Sequence, residues 1–304
     1  MNRLHVAVLM GGPSAEREVS LQSGAAAVAA LRNAGMHVSP VDVKDEDFHL
    51  PAGTDVAFLA LHGTFGEDGQ VQRILEQRGV PYTGSGPEAS ARAFDKARAK
   101  KSFIASEIPT PQYVVLEKDV RPLATMKLPV VVKPARQGSS VGVTLVMERA
   151  GLDRAIEQAW RYSDKLVVEE FIEGREFTVA VFDGGPLPIV EIRTKNQFFD
   201  KEAKYTPGGA EEICPAGIDA ALTREMQKLG CRAHECLSCR DVSRTDVMMS
   251  KSGELYVLEV NTLPGMTATS LLPKAAQAAG MSMEDVCTRL VEMAMARCSA
   301  AVAA

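Results

Sequence analysis

Ser243-Arg244-Thr245-Asp246-Val247-Met248 and, just downstream, Leu258-Glu259-Val260-Asn261 form the stretch on which the fold turns. Each run reads as a strand. With side chains alternating at period two, Arg244 and Asp246 share one face, as do Glu259 and Asn261. An Asp, a Glu and an Asn are hard oxygen ligands of the kind Mg²⁺ takes, its shell completed by water and nucleotide phosphates. A solvated polar face on an antiparallel pair would show the same alternation, but the flanking Val, Met and Leu residues favour buried strands. The chain continues Thr262-Leu263-Pro264-Gly265-Met266-Thr267, a turn rich in small residues. Its Gly265 N–H is a candidate donor to a developing oxyanion.

Upstream, Val130-Val131-Val132-Lys133-Pro134 sets a lysine at the end of an apolar strand, either as an edge residue or as a ligand-facing cation. Gln137-Gly138-Ser139-Ser140-Val141-Gly142 follows as a small-residue turn. Such a turn serves as a plain hairpin, or it lets backbone N–H groups approach phosphate oxygens. Lys133 shifts the balance toward phosphate. Leu166-Val167-Val168-Glu169-Glu170-Phe171-Ile172 ends another strand with two acids. They either mark its emergence into solvent or accept from an adenine amino group and ribose hydroxyls, with Phe171 and Ile172 against the base. Glu176 is a second candidate for the ribose.

The first ninety or so residues alternate strand and helix: Leu4–Met10, a helix through Asn33, Met36–Val43, Asp55–Leu61 and a helix from Asp68 to Arg78. This order implies a parallel sheet with function at the carboxyl ends of its strands. Gly11-Gly12-Pro13-Ser14-Ala15-Glu16 lies between strand and helix. It is not a dinucleotide fingerprint, and its acid would suit the ammonium of an amino acid. From Pro109 the texture turns β-rich, with Tyr113–Leu116, Pro129–Lys133, Val141–Val146, Leu166–Phe171 and Glu176–Phe182 expected in one antiparallel sheet crossed by a helix over 150–162. Then come Leu187–Arg193, a polar loop over 196–215, a long helix from Asp219, the two strands quoted first, and C-terminal helices. The expected fold class is α/β (α+β overall). It divides into an N-terminal parallel α/β domain at 1–94, a small central α+β domain at 95–184 and a C-terminal α+β domain with an antiparallel sheet at 185–304.

The chain has 304 residues, 46% hydrophobic and 24% charged, with a net charge of −5. These values describe an ordinary globular protein and give no basic footprint for nucleic acid. No apolar run reaches the ~18 residues of a membrane span, and the start runs into strand-like sequence without a signal peptide. The six cysteines are therefore expected as reduced thiols in a cytosol. Cys231, His234, Cys236 and Cys239 lack a second paired knuckle and read as packing on one helix.

Taken together, GGPSAEREVSL (11–21), ALHGTFGEDG (60–69), YTGSG (82–86), DKARAK (95–100), VVKPARQGSSVG (131–142), EAKYTPGG (202–209), CPAG (214–217), SRTDVM (243–248) and LEVNTLPGMTATSLLP (258–273) resemble the ATP-grasp superfamily, and within it the D-alanine–D-alanine ligases. The likeness runs over essentially the whole chain, and the joint order of these pieces is far more specific than any one of them.

The resemblance implies a cytoplasmic homodimer, paired through the N-terminal module, that makes D-alanyl-D-alanine for peptidoglycan. Its substrates would be ATP and two D-alanine molecules, with two Mg²⁺ ions that Mn²⁺ can replace. Nucleic acid and membrane are not among the implied partners.

It assigns Lys96, Lys133 and Lys204 to ATP, Ser139 and Ser140 to a loop closing over the phosphates, and Glu169, Phe171, Ile172 and Glu176 to the adenosine. Asp246, Glu259 and Asn261 would hold metal. Glu16, aided by His62, would take the first D-alanine's ammonium, and Ser270 and Leu271 the second one's carboxylate. Arg244 and the Gly265 N–H would stabilise the tetrahedral centre. Lys204 and Tyr205 would sit on a lid over 196–215, with Tyr205 joining Glu16 and Ser139 in a hydrogen-bonded set.

Tyr205 favours a dipeptide over a depsipeptide product. Glu170-Phe171 stands where many members carry Lys-Trp, and Cys239-Arg240-Asp241 replaces a more usual Cys-Arg-Gly, so that turn is expected to differ. Rival readings are another carboxylate–amine ligase, such as a D-alanine–D-lactate ligase, and a nucleotide-binding regulator without catalysis. Tyr205, Glu16 and Ser270 oppose the first, and the retention of Lys133, Arg244, Asp246, Glu259 and Asn261 opposes the second.

Overall fold

An apolar run with no polar alternation is buried on both faces, and His5–Gly11 (β1) takes the central place of a parallel sheet. The computed structural model describes residues 4–118, 126–194 and 210–303. Arg17–Asn33 (α1) carries the chain to His37–Val43 (β2) on one side of β1, and Val56–Leu59 (β3) pairs on the other. Gly24 lets α1 lie directly on β1, since a Cβ there would overlap the Met10 side chain. Three helices follow: Gln70–Gln77 (α2), Pro87–Phe94 (α3) and Lys96–Ala105 (α4). Asp95 caps α4, its carboxylate accepting from the Ala97 and Arg98 N–H groups at 3.1 and 3.2 Å.

The second layer is antiparallel. Tyr113–Glu117 (β4), Val130–Pro134 (β5), Thr144–Val146 (β6) and Lys165–Glu170 (β7) lie in the order β4-β7-β5-β6. Leu152–Ala159 (α5) covers them, burying Leu152, Ile156 and Ala159 against Val130, Val132 and Val168.

The third layer contains Gly174–Phe182 (β8), Gly185–Pro186 (β9), Val190–Thr194 (β10), Ala210–Ile213 (β11), Val242–Ser250 (β12) and Leu255–Asn261 (β13), in the order β11-β10-β8-β12-β13 with β9 on β8. Ala220–Cys236 (α6), capped by Asp219, packs Met226, Leu229 and Ala233 against Phe177, Val179 and Val257. Leu271–Ala278 (α7) and Met283–Ala303 (α8) return to the first layer, where Leu272, Val286 and Leu290 share a core with Val6, Val8 and Leu31.

Three expectations change. The strand expected over 176–182 as part of the central sheet is β8, which pairs with β10 and β12 instead, so the central sheet ends at Glu170. Both neighbours of the short 171–173 connection are apolar runs, and nothing local says which sheet each will join. The loop expected over 196–215 contains a strand: β11 pairs with β10 from Glu191↔Ile213 to Thr194↔Ala210. Residues 196–209 of that loop, with Lys204 and Tyr205, lie outside the described residues. Finally, Cys239 falls in the turn beyond α6 rather than on it, and all six cysteines are free. No helix among the described residues is long and apolar enough to cross a membrane.

Candidate active site

The residues read as one polar face meet across β12 and β13, where Arg244 opposes Asn261 and Asp246 opposes Glu259. The register shifts just after Asp246, a bulge that twists the pair at this point. Arg244 grips Asp246 with two bonds, Nε to Oδ1 at 2.8 Å and an Nη2 bond to Oδ2 at 2.9 Å. Burial opposes the arginine's charge, but the Asp246 carboxylate outweighs it and holds the guanidinium above its ordinary value. Glu259 is met by Lys96 Nζ at 3.0 Å, and the same ammonium donates to the Gln137 carbonyl at 2.7 Å. Lys96 thus ties the start of α4 to the Gly/Ser turn and to the acid on β13. Asn261 Oδ1 accepts from the Leu263 N–H at 2.9 Å, which shapes the start of the Gly265 turn. Two carboxylates and a carboxamide on adjacent strands, each acid already facing a cation, form a donor set that fits a hard divalent ion such as Mg²⁺.

These residues stand between two cavities. The larger, of 860 Å³, is walled by Val131, Phe171, Ile172, Met248 and Leu258, with Lys133 and Glu176 on its sides. The smaller, of 400 Å³, is bounded by Glu16, His62, Ser139, Arg244, Gly265 and Ser270. Lys96, Gln137, Glu176, Ile192, Asp246 and Glu259 line both, so the two spaces adjoin at the acidic pair.

Ser139, on the smaller cavity, and Ser140, on the larger, both hold left-handed backbone, with φ of 47° and 56°. Two adjacent non-glycine residues in that region indicate a loop fixed by what it touches. Ser139 Oγ donates to Glu16 Oε1. Glu16 is clamped from both sides, because a Cβ on Gly63 or on Gly138 would run into its carboxylate. Ser270 immediately precedes α7, its Oγ accepting from the Thr267 N–H at 3.1 Å in the preceding turn and not from the helix, and Leu271 is the first residue of that helix. A helix start with aligned N–H groups is a natural seat for a carboxylate.

Glu169 lies on the wall of the larger cavity. It is buried, and its two carboxylate oxygens face Lys133 and Lys100. Burial alone would raise its pKa, yet Lys100 and Lys133 together hold the carboxyl below its usual range. Glu170 is exposed at the strand end.

Several residues of the site carried no role in the sequence reading. Ser23 Oγ lies 3.0 Å from His62 Nε2 and accepts from the Met266 N–H at 3.3 Å, joining α1 to the Gly265 turn. Glu67 accepts from the Gly63 N–H at 3.0 Å and faces His62 at 4.0 Å, and burial pushes its carboxyl up. For Glu67 a signal was present, since it lies in the 60–69 segment. Asp241 takes the left-handed backbone at φ 62°, its carboxylate accepting from Arg297 and, at 2.8 Å, from the Gly84 N–H.

The chain is 43% identical over 293 residues to a D-alanine–D-alanine ligase of Methylacidiphilum infernorum, covering 96% of each chain. To that of Geobacter sulfurreducens it is 47% identical over 292 residues, covering 94% of this chain and 92% of the relative. The structure of the D-alanine–D-alanine ligase from Bacillus anthracis complexed with ATP matches with a TM-score of 0.86 at 35% identity, covering 98% and 99%. Fold and cleft together define an ATP-grasp enzyme. Residues 103–292 match the family model described as D-ala D-ala ligase C-terminus, and residues 45–85 the one described as D-ala D-ala ligase N-terminus. The chain belongs to the D-alanine–D-alanine ligase family.

Proposed function

We propose that the chain joins two D-alanines into D-alanyl-D-alanine while ATP is converted to ADP and phosphate. The observation that carries this reading is the junction of the two cavities. A space with an apolar wall of Val131, Phe171, Ile172, Met248 and Leu258, and with Lys96 and Lys133 also lining it, opens at Asp246 and Glu259 onto a space bounded by Glu16, His62, Arg244 and Ser270. That is the layout a nucleotide needs if its terminal phosphate is to meet a small amino acid.

In the first step a D-alanine carboxylate oxygen attacks the γ-phosphorus. The bond to the β-phosphate oxygen breaks, and ADP departs with that electron pair. Lys96 and Lys133 offset the phosphate charge, and Glu16, with His62 beside it, holds the amino acid's ammonium so that its carboxylate faces the phosphorus. Positioning and charge neutralisation dominate such transfers. Mg²⁺ held by Asp246, Glu259 and Asn261 supplies further neutralisation of the phosphates when bound.

In the second step the amine of the other D-alanine, its carboxylate at the start of α7 by Ser270 and Leu271, attacks the acyl carbon. Arg244 and the Gly265 N–H receive the negative charge that develops on the carbonyl oxygen. Phosphate then leaves, and the new amide nitrogen gives up a proton. The Ser139–Glu16 contact holds the Gly/Ser turn over the reacting groups and so helps exclude water from the acyl phosphate. The same reading places the enzyme in the cytoplasm, where ATP is made available, and as a homodimer, which light scattering after size exclusion checks.

The deciding assay measures phosphate release from ATP and Mg²⁺ with D-alanine, beside L-alanine and D-alanine plus D-lactate. Release with D-alanine alone, with the dipeptide seen by mass spectrometry, is the expected result. Silence with D-alanine but turnover with another acid or amine would discard the substrate and keep the ligase. A sharper local test is Gly138→Ala, whose Cβ would meet the Glu16 carboxylate. Displacing that clamp should lower kcat/KM for D-alanine by about 10²-fold while ADP binding stays near normal. An unchanged D-alanine dependence would remove Glu16 from the substrate site.

A further inference from the structure

Lys100 is the most deeply buried cation among the described residues, only 1% exposed, and no step above uses it. A lysine is almost never sealed away unless something needs its charge. Its Nζ donates to Thr110 Oγ1 at 2.6 Å, which in turn donates to the Val257 carbonyl on β13 at 2.8 Å. The same ammonium lies 2.8 Å from Glu169 Oε2, an ion-pair contact without good hydrogen-bond alignment. It also stands over the Tyr113 ring at 5.3 Å. The other oxygen of Glu169 contacts Lys133, the lysine facing the larger cavity. The order from interior to cavity is therefore ammonium, carboxylate, ammonium.

We propose that Lys100 is a positioning residue for the nucleotide phosphates, acting through Glu169 on Lys133. The proposal rests on the ATP reading of the larger cavity. Two ammonium groups and one carboxylate sum to a single positive charge, and Lys133 presents it to the ligand. Without Lys100, Glu169 would neutralise Lys133 and draw its Nζ back toward the strand, leaving no net charge to meet a phosphate. Glu259 and Glu176 also act on Lys133 from the same cavity, so its positive field is already contested. Burial drives the Lys100 pKa down against the pull of Glu169. This lysine is held at a cost that a neutral side chain would avoid, as expected where charge and not packing is required.

The test is calorimetric titration of the intact protein with ADP and, separately, with adenosine, which fills the apolar part of the cavity and has no phosphate. The variants are Lys100→Met, Lys100→Arg and the double variant Lys100→Met/Glu169→Gln. Lys100→Met should weaken ADP binding by about 10- to 100-fold, the effect of one charge acting through a partly buried path, while adenosine binding changes little. Lys100→Arg should restore most of the ADP affinity. The double variant should also recover it, because removing the acid as well frees Lys133 from the carboxylate that would otherwise neutralise it.

Equal losses for ADP and adenosine in Lys100→Met, or no loss for ADP, overturn the proposal in favour of a purely structural lysine. Failure of the double variant to regain ADP affinity, with adenosine binding intact, overturns it too. If Lys100→Met fails to fold, the Lys100→Arg and double variants carry the same comparison. Absence of ADP binding by the unaltered protein would instead strike at the ATP reading itself.

Discussion

Arg244→Ala abolishes dipeptide formation, with turnover expected to fall about 10³-fold or more, while the protein remains folded. The side chain lies on β12, between β8 and β13, and its neighbours on the strand, Ser243, Thr245 and Val247, are buried without its help. Its removal leaves Asp246 beside the junction of two water-accessible cavities, so no sealed charge is stranded. The loss therefore belongs to chemistry more than to stability. A guanidinium at the rim of the smaller cavity, aligned by its two-point grip on Asp246, offers donors to the oxygen that turns anionic when the amine attacks. Arg244→Lys keeps a charge but not the planar fork and should recover only part of the rate. Phosphate release and mass spectrometry of the product, beside a thermal melt, give the answer. Near-normal turnover in the alanine variant would remove Arg244 from the transition state.

How far the sequence foretold this site depended on whether each signal was local. Arg244, Asp246, Glu259 and Asn261 could be placed on shared faces from alternation alone, and the register sets them opposite one another as that reading required. Lys133 and the Gly/Ser turn were equally legible, because a strand, a cation and a small-residue turn lie within a dozen residues of each other.

Sheet membership was another matter. β8 reads like any apolar strand, and its pairings with β10 and, far along the chain, with Val242–Ser250 assign it to the third layer. β11 was hidden because Ala210-Glu211-Glu212-Ile213 is polar and short. It is a strand because β10 offers an edge, which no propensity reveals.

Glu169 shows the same limit at the level of one side chain. Its place at a strand end suggested solvent or adenosine; it lines the larger cavity, and the two lysines from separate elements that meet its oxygens could not be read from that place. Lys100 could not be singled out within DKARAK because its partners, Thr110 and Glu169, come from distant segments. Asp241 illustrates how a departure from the usual pattern settles. The turn keeps left-handed backbone despite carrying a side chain, and the carboxylate is used to bind Arg297 and the Gly84 amide.

Asp246→Asn and Glu259→Gln should each reduce Mg²⁺-supported turnover by about 10²- to 10³-fold, and each should raise the Mg²⁺ concentration needed for half-maximal rate. The two substitutions keep shape and remove one charge, so packing across β12 and β13 is preserved. Their side effects differ. Asp246→Asn loosens the two-point grip on Arg244, so turnover stays low even at saturating Mg²⁺. Glu259→Gln releases Lys96 from its 3.0 Å partner but leaves that lysine's bond to the Gln137 carbonyl, so more of the rate should return as Mg²⁺ rises. Adenosine binding serves as the control, because the apolar wall formed by Phe171, Ile172 and Leu258 is untouched by either change. Titrating Mg²⁺ and Mn²⁺ against phosphate release for the unaltered protein and both variants reads all of this in one experiment. If the Mg²⁺ dependence is the same in all three, the metal does not sit on β12 and β13. The acids would then serve only to hold Arg244 and Lys96 in place, and a rate loss without a metal shift is the signature of that outcome.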